Sequence, residues 1–184
     1  MNLNVGQKIY YVGRGPCFVE GLIRKSVCGA SALFYNLTLL DDSKTEFLVP
    51  ASSCSDLPLR ALLDREQVPR LLSRLRARVG PPQALAPWPK RQSVRSKLFS
   101  SGSPFDLADV IESLTRSSSV RKLAMDEWET LRRARKLLIY EIAEVMNETT
   151  SAAEARLDHV ANPNKKAMKN VENGIRFNQG RKSQ

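Results

Sequence analysis

The spacing of apolar residues changes once along this 184-residue chain, near Leu57, and this change constrains the fold more than any other feature. Before it, short runs rich in β-branched and aromatic residues alternate with turn residues, which is typical of strands. After it, apolar residues recur at steps of three and four, which is typical of amphipathic helices. The sequence therefore predicts an α+β protein of two small domains, an antiparallel β module followed by an all-α helical bundle.

The first sixty residues contain four predicted strands, at 5–12, 17–23, 32–40 and 45–50. Gly21 interrupts the second strand at a point where a bulge or bend fits. Pro50 ends the fourth strand, and because Pro has no N–H for a ladder, it favours an edge or terminal position in the sheet. Short strands at this spacing indicate a small, curled antiparallel sheet or barrel.

Helices are predicted around 68–79, from Pro104 onward, over 126–147 and over 151–160. A polar break at residues 117–119 separates the second from the third. The longest helix is expected to bury Trp128 on its apolar stripe and to use Asp126 as its N-cap. Four prolines make residues 80–89 a semi-rigid connector within the helical part.

A stretch without acidic residues lies between Glu66 and Asp106. It holds eight cations: Arg70, Arg74, Arg76, Arg78, Lys90, Arg91, Arg95 and Lys97. This stretch and the tail at residues 162–184 supply the basic excess of a chain whose net charge is +10. Such asymmetry indicates a polyanionic partner at two places and not a uniformly basic surface. The tail is poor in apolar residues and is predicted to be disordered.

Trp88 lies at the centre of the acid-free stretch, between Pro87 and Pro89 and just before two cations. The prolines predict a stiff, irregular segment that presents the indole. Nucleic acid offers phosphates to the cations and bases or sugars to the ring. The alternative is a Trp that fills a gap between two domains beside solvated arginines. These residues alone leave the two interpretations level.

The remaining chemistry is sparse. His159 is the single histidine, and the three cysteines have no partner at metal or triad spacing, so we expect no enzyme, no metal and no cofactor. Reduced, largely buried thiols are expected. No apolar run approaches the ~20 residues of a membrane span, and the N-terminus does not resemble a signal peptide. A cytoplasmic protein without a membrane partner is therefore expected.

Several short motifs, in a fixed order, resemble the CarD/CdnL family of bacterial RNA-polymerase-binding transcription regulators. The similarity covers about residues 3–160 and includes the stretch from Val5 to Tyr11, Gly15, Val49-Pro50 and Leu59-Arg60. It continues with Trp88-x-Lys90-Arg91, with the stretch from Lys97 to Gly102, and with the stretch from Leu123 to Glu141. The order and spacing of these motifs make the match specific.

The resemblance implies three parts: a Tudor-like domain at 1–58 that docks on the polymerase β subunit, a helical DNA-binding domain at 59–161, and the basic tail. It also implies that Trp88 wedges into the minor groove at the upstream edge of the open promoter bubble. The DNA contacts are then expected from Trp88, Lys90, Arg91, Arg95 and Lys97, without sequence specificity.

Polymerase docking is expected by strand addition along residues 45–49, because an edge strand offers unpaired main-chain groups. The expected contact residues are Lys25, Phe47, Leu48 and Val49. Lys25 and Leu48 stand where family members carry polymerase-contacting arginines. The expected protein is a monomer that reaches the nucleoid through polymerase.

The alternative function is a basic RNA- or ribosome-associated protein that makes no polymerase contact. Its β module would stack bases on Tyr10, Tyr11, Phe34 and Tyr35. At strand spacing, however, half of such aromatic residues face a core in any case. Affinity purification separates the two interpretations, according to whether it brings down polymerase or ribosomal particles.

Overall fold

The computed structural model describes residues 3–27, 30–76 and 101–161. In these residues the chain forms five strands and four α-helices. The strands are β1 Lys8–Tyr11, β2 Gly15–Val27, β3 Ala30–Leu39, β4 Glu46–Pro50 and β5 Leu59–Arg60. The helices are α1 Val68–Leu75, α2 Pro104–Val120, α3 Met125–Met146 and α4 Thr150–Ala161. The predicted α+β class, with sheet before helices, is confirmed.

All five strands belong to one antiparallel sheet with the order β4-β3-β2-β1-β5. The register between β2 and β3 shifts between Val19 and Gly21, which confirms the bulge predicted at this glycine. Strand β5 was not predicted, because two residues are too few to show a period. It pairs with β1 and places Arg60 opposite Tyr10.

The two faces of the sheet differ in what they bury. Leu37 in β3 and Val49 in β4 face a core that is completed by residues of β1, β2 and the following 3-10 helix Ala51–Asp56. The fully or largely buried members of this core are Leu3, Ile9, Cys17, Val19, Leu37, Val49 and Cys54. Burial raises the pKa of the Cys17 thiol to about 12 and also raises that of Cys54, so both are inert thiols in the fold.

The helical part has its own core, built by the apolar stripes of all four helices. Its fully buried side chains include Leu71, Leu107, Ile111, Leu138 and Leu157, one or more from each helix. The predicted helix over 126–147 is observed as α3, and the predicted last helix as α4. None of the described helices has the length and hydropathy that a membrane span requires.

The polar break predicted at residues 117–119 is wrong, because α2 continues through it to Val120. Each serine hydroxyl there donates to a backbone carbonyl one turn earlier, at 2.6–2.8 Å: Ser117 to Ser113, Ser118 to Thr115 and Ser119 to Arg116. These local bonds satisfy the hydroxyls within the helix, so three serines in a row do not end it.

The start of α3 also differs from expectation. Ala124 occupies the N-cap position, and Glu127 accepts a hydrogen bond from the Ala124 N–H at 3.1 Å. Asp126 is therefore not the cap. The Glu127 carboxylate also accepts two 2.7 Å hydrogen bonds from Arg121, which ties the chain before α3 to its first turn. Trp128, expected on the buried stripe, is 52% exposed.

Candidate interaction surfaces

Strand β4 is an edge strand, as Pro50 predicts, because it pairs only with β3 in the described residues. The register pairs Leu37 with Phe47 and Asn36 with Leu48. Leu39 N–H donates to the Thr45 carbonyl at 2.9 Å, which marks a hydrogen-bonded pair. Along an antiparallel ladder, hydrogen-bonded pairs alternate with pairs that are not hydrogen-bonded, so the pairs at Phe47 and Val49 are also hydrogen-bonded and the pair at Leu48 is not. The N–H and C=O of Leu48 therefore point away from β3, toward the open edge.

The four residues expected to contact polymerase lie on two faces of the sheet. Lys25 pairs with Ala32 and Leu48 pairs with Asn36, and both partners are even-numbered residues of β3, so Lys25 and Leu48 share one face. Phe47 and Val49 share the opposite, core face. Val49 is only 4% exposed, so its side chain serves the core.

The face that carries Leu48 is called the outer face here, and it also carries Ile23, Phe34 and Lys25 by register. Its apolar side chains are half-buried and belong to neither core cluster. Lys25 is exposed and lies about 13 Å further along the strand direction than Leu48, since Ala32 and Asn36 are four residues apart. The outer face therefore offers an apolar patch beside the open edge with a cation at one end.

Phe47 contributes to a small aromatic cluster on the other side of β4. Its ring centroid lies 5.6 Å from that of Tyr11, and the Arg14 guanidinium lies 5.5 Å from the Tyr11 centroid and 5.2 Å from that of Phe47. This cluster connects the β1–β2 turn to the edge strand. Phe47 thus supports the strand from its core side.

A buried ion pair joins the sheet to the helices. The Arg60 guanidinium, on β5, donates to both carboxylate oxygens of Glu141, on α3, at 2.6 and 2.8 Å. The same carboxylate accepts from the Leu63 N–H at 2.9 Å, and Arg60 stacks on the Tyr10 ring with its Cζ 3.7 Å from the centroid. Glu141 is completely buried. The Glu141 carboxylate thus accepts three hydrogen bonds, two of them from a cation, and such pairing allows a buried charge to be tolerated.

Further contacts attach other parts of the β module to α3. Arg133 donates to the Gly13 carbonyl at 2.9 Å, and Lys8 pairs with Glu144 at 2.7 Å. At the β3–β4 turn, the Tyr140 hydroxyl donates to the Asp42 carboxylate. These contacts occur along α3 from its first half to its last turn, so the sheet has a defined position relative to the helices.

Gly102 lies where the described chain resumes before α2, and it is held against the sheet. Its carbonyl accepts from Arg60 Nε at 2.6 Å. Its φ of +68° favours glycine, and a Cβ there would lie 2.3 Å from Cγ2 of Val12. Gly102 therefore attaches the start of α2 to the sheet.

Helix α1, at the start of the acid-free stretch, is basic. Arg70 and Arg74 of α1 are exposed, and each guanidinium lies 5.7 Å from the centroid of the Phe105 ring. Arg74 also pairs with Asp109 at 2.7 Å, while both groups remain about half exposed. Helix α1 therefore presents cations at the point where the acid-free stretch leaves the described structure.

The residues expected to contact DNA, Trp88, Lys90, Arg91, Arg95 and Lys97, lie outside the described residues, as do the connector at 80–89 and the tail at 162–184. Their roles stay predictions. In the described ranges, no group of His, Cys, Asp and Glu side chains is arranged to hold a metal ion.

The aromatic residues of the RNA-binding alternative do not form one surface. Tyr10 is buried beneath Arg60, and burial raises its pKa well above the ordinary value of a tyrosine. Tyr35 faces the core and Tyr11 packs against Phe47, which leaves Phe34 alone on the outer face. The geometry therefore does not favour base stacking on this sheet.

A groove that periodicity did not predict lies between the β3–β4 turn and helices α2, α3 and α4. Its volume is about 740 Å³, and exposed Trp128, half-buried Leu131 and half-buried Ile139 are among its lining residues. Arg132 and Lys136 of α3 also line it. Together these residues form what is called the α3 groove below.

A comparison with models of known protein families matches residues 70–158 to the C-terminal domain of CarD. The match begins on the basic helix α1 and ends within α4. It spans the acid-free stretch with Trp88 and includes Glu141, the partner of Arg60.

Proposed function

Residues 70–158 make this chain a member of the CarD family of transcription regulators, and we propose that it binds the RNA polymerase β subunit and stabilises the open promoter complex. In this proposal the β module is the Tudor-like docking domain, and the helical part lies against promoter DNA. The protein makes no covalent change to either partner.

The open edge of β4 is the observation that carries the docking proposal. The N–H and C=O of Leu48 point outward, and a strand of the β subunit can pair with them. This open edge, residues 45–49, is called the docking rail. Main-chain pairing depends little on side-chain identity, which accounts for Leu48 at a position where family members carry Arg. The apolar outer face, with Lys25 at its end, supplies side-chain contacts beside the rail.

The DNA proposal rests on the acid-free stretch and its attachment. Lys90, Arg91, Arg95 and Lys97 contact phosphates, which position the protein without reading sequence. Trp88 acts on a strained or melted step, and stacking of an aromatic on a base contributes about 1–3 kcal/mol. Gly102, which follows this segment in the sequence, and the Arg60–Glu141 pair are attached to the β sheet. We therefore expect polymerase docking to bring Trp88 toward the bubble edge.

A pull-down of the full chain with a purified β-subunit fragment tests the docking rail. Leu48→Pro removes the outward N–H without removing a bond to β3, so it is expected to fold and to abolish binding. Leu48→Ala keeps the N–H and is expected only to weaken binding. If Leu48→Pro retains the circular dichroism spectrum of the wild type and binds equally well, the rail lies elsewhere on the module.

A further inference from the structure

The acidic residues of the α3 groove are already engaged within the protein. Asp42 accepts the Tyr140 hydroxyl. Asp158 accepts from Arg135 at 2.6 Å, and Glu154 lies 4.0 Å from the same guanidinium. Arg135 and these two acids therefore satisfy one another at the α4 side of the groove. Arg135 is thus already paired, and with two acids to one arginine this side of the groove keeps a net negative charge.

The cations on the other side are available. Arg132 and Lys136 are exposed and have no ion pair in the described part of the chain. Each cation instead lies near an aromatic ring of α3. Arg132 Cζ is 6.0 Å from the centroid of the Trp128 ring, and Lys136 Nζ is 5.5 Å from the centroid of the Tyr140 ring. With Trp128 they are spaced four residues apart and form one stripe along α3.

Beside this stripe of α3, the floor of the groove is apolar. Leu131 and Ile139 are half-buried members of the rim of the helical core, and Trp128 stands 52% exposed above them. Thr150 and Ser151, in the first turn of α4, also line the groove. A ligand that fits must bring a large apolar group for the floor and separate anionic groups for the two cations.

We propose that the α3 groove binds a short segment of a protein partner in which acidic side chains flank a large apolar one. The alternative anion is a nucleic-acid strand, which carries a phosphate at every nucleotide. Three carboxylates line the groove, at Asp42, Glu154 and Asp158, and they repel such a continuous polyanion. Individual carboxylates of a peptide can approach Arg132 and Lys136 and avoid these acids. This binding does not depend on polymerase docking or on Trp88.

The ligand class can be identified with a phage-displayed library of random peptides about twelve residues long, selected on the immobilised full chain. We expect enrichment of sequences with Asp or Glu on both sides of Leu, Ile, Phe or Trp. Selected peptides are then titrated into the Trp88→Phe variant, in which Trp128 is the only tryptophan. A blue shift of its emission is expected as the peptide covers the ring.

Matched charge reversals locate the contact. Arg132→Glu combined with Lys136→Glu is expected to weaken the selected peptides roughly tenfold or more, because it replaces two attractions with repulsions. Arg65→Glu, an exposed cation just before α1, is expected to change affinity by less than about twofold. Circular dichroism checks that each variant is folded.

Three results overturn the proposal. The first is a phage selection in which the recovered peptides are not enriched in Asp or Glu. The second is a selected peptide whose affinity is the same for the Arg132→Glu/Lys136→Glu variant as for the wild type. The third is a single-stranded oligonucleotide that shifts the Trp128 emission while acidic peptides do not, which assigns the groove to nucleic acid.

Discussion

Arg60 and Glu141 lie 81 residues apart in the sequence and meet as a two-bond ion pair between β5 and α3. The pair is connected to four further groups: the Leu63 N–H, the Ala61 and Gly102 carbonyls and the Tyr10 ring. It therefore links the β sheet, the start of α2 and the longest helix at one point. The proposed function needs this link, because it assigns polymerase contact and DNA contact to different parts of the chain.

Removing the carboxylate is expected to destabilise the fold strongly. Glu141→Ala leaves the Arg60 guanidinium and the Leu63 N–H without their partner in a buried site, which costs about 3–5 kcal/mol of unfolding free energy. Urea unfolding followed by circular dichroism measures the change. Lys8→Ala removes the partly exposed Lys8–Glu144 pair and serves as control, with an expected loss of at most about 1 kcal/mol. Equal losses in the two variants would show that the Arg60–Glu141 pair contributes no more than a surface pair.

The Tyr140–Asp42 contact predicts a loss of stability in alkali. Burial, together with the hydrogen bond to Asp42, raises the pKa of Tyr140 from 10.0 to about 12. Below pH 10 the hydroxyl is protonated in the folded and unfolded states, so its contribution is fully present. Between pH 10 and 12 the unfolded chain loses the proton first, and the contribution declines.

Tyr140→Phe is the control for this effect. We expect the difference in unfolding free energy between wild type and variant to be constant from pH 7 to about 9 and to shrink as the pH rises toward 12. Urea unfolding at a series of pH values measures it. A difference that stays constant up to pH 12 would mean that the hydroxyl titrates at its ordinary pKa.

The protein is expected to bind duplex DNA weakly and with strong salt dependence when polymerase is absent, because the proposed contacts are a few cations. Contact with four to six phosphates gives a slope of roughly −4 to −5 in a plot of log affinity against log salt concentration. Fluorescence anisotropy of a labelled duplex at several salt concentrations measures this slope. Tight, sequence-specific binding that salt barely affects is the contrary result.

The local parts of this structure could be predicted from the sequence. Strand alternation, the glycine at the bulge and Pro50 at the edge each act within a few residues, so β4 was placed at the edge of the sheet and Gly21 at its bulge. The Arg60–Glu141 pair could not be predicted, because no local pattern relates two charges in different elements. The same holds for the α3 groove, which three helices and a turn build together.

Trp128 shows how a helical pattern can mislead. From Trp128 to Leu131 to Ala134 the chain takes two successive steps of three, and at 100° per residue these steps rotate Trp128 about 120° away from Ala134. Ala134 is completely buried, as are Leu138 and Ile142, which follow at steps of four. Each step of three is compatible with a helical stripe when taken alone. Burial depends on the total rotation about the helix axis, which two such steps carry too far.

The lifetime of the open promoter complex tests the central claim most directly. It is measured with polymerase alone and with the wild type, Trp88→Ala or Leu48→Pro proteins, beside melting curves and β-fragment pull-downs for each. We expect the wild type to lengthen the lifetime. We expect Trp88→Ala to lose roughly fivefold or more of that gain, consistent with about 1 kcal/mol of stacking, with unchanged melting and polymerase binding. Leu48→Pro is expected to lose the gain together with polymerase binding. A Trp88→Ala protein that stabilises the complex as well as the wild type, or one that loses fold and effect together, contradicts the proposed role of Trp88.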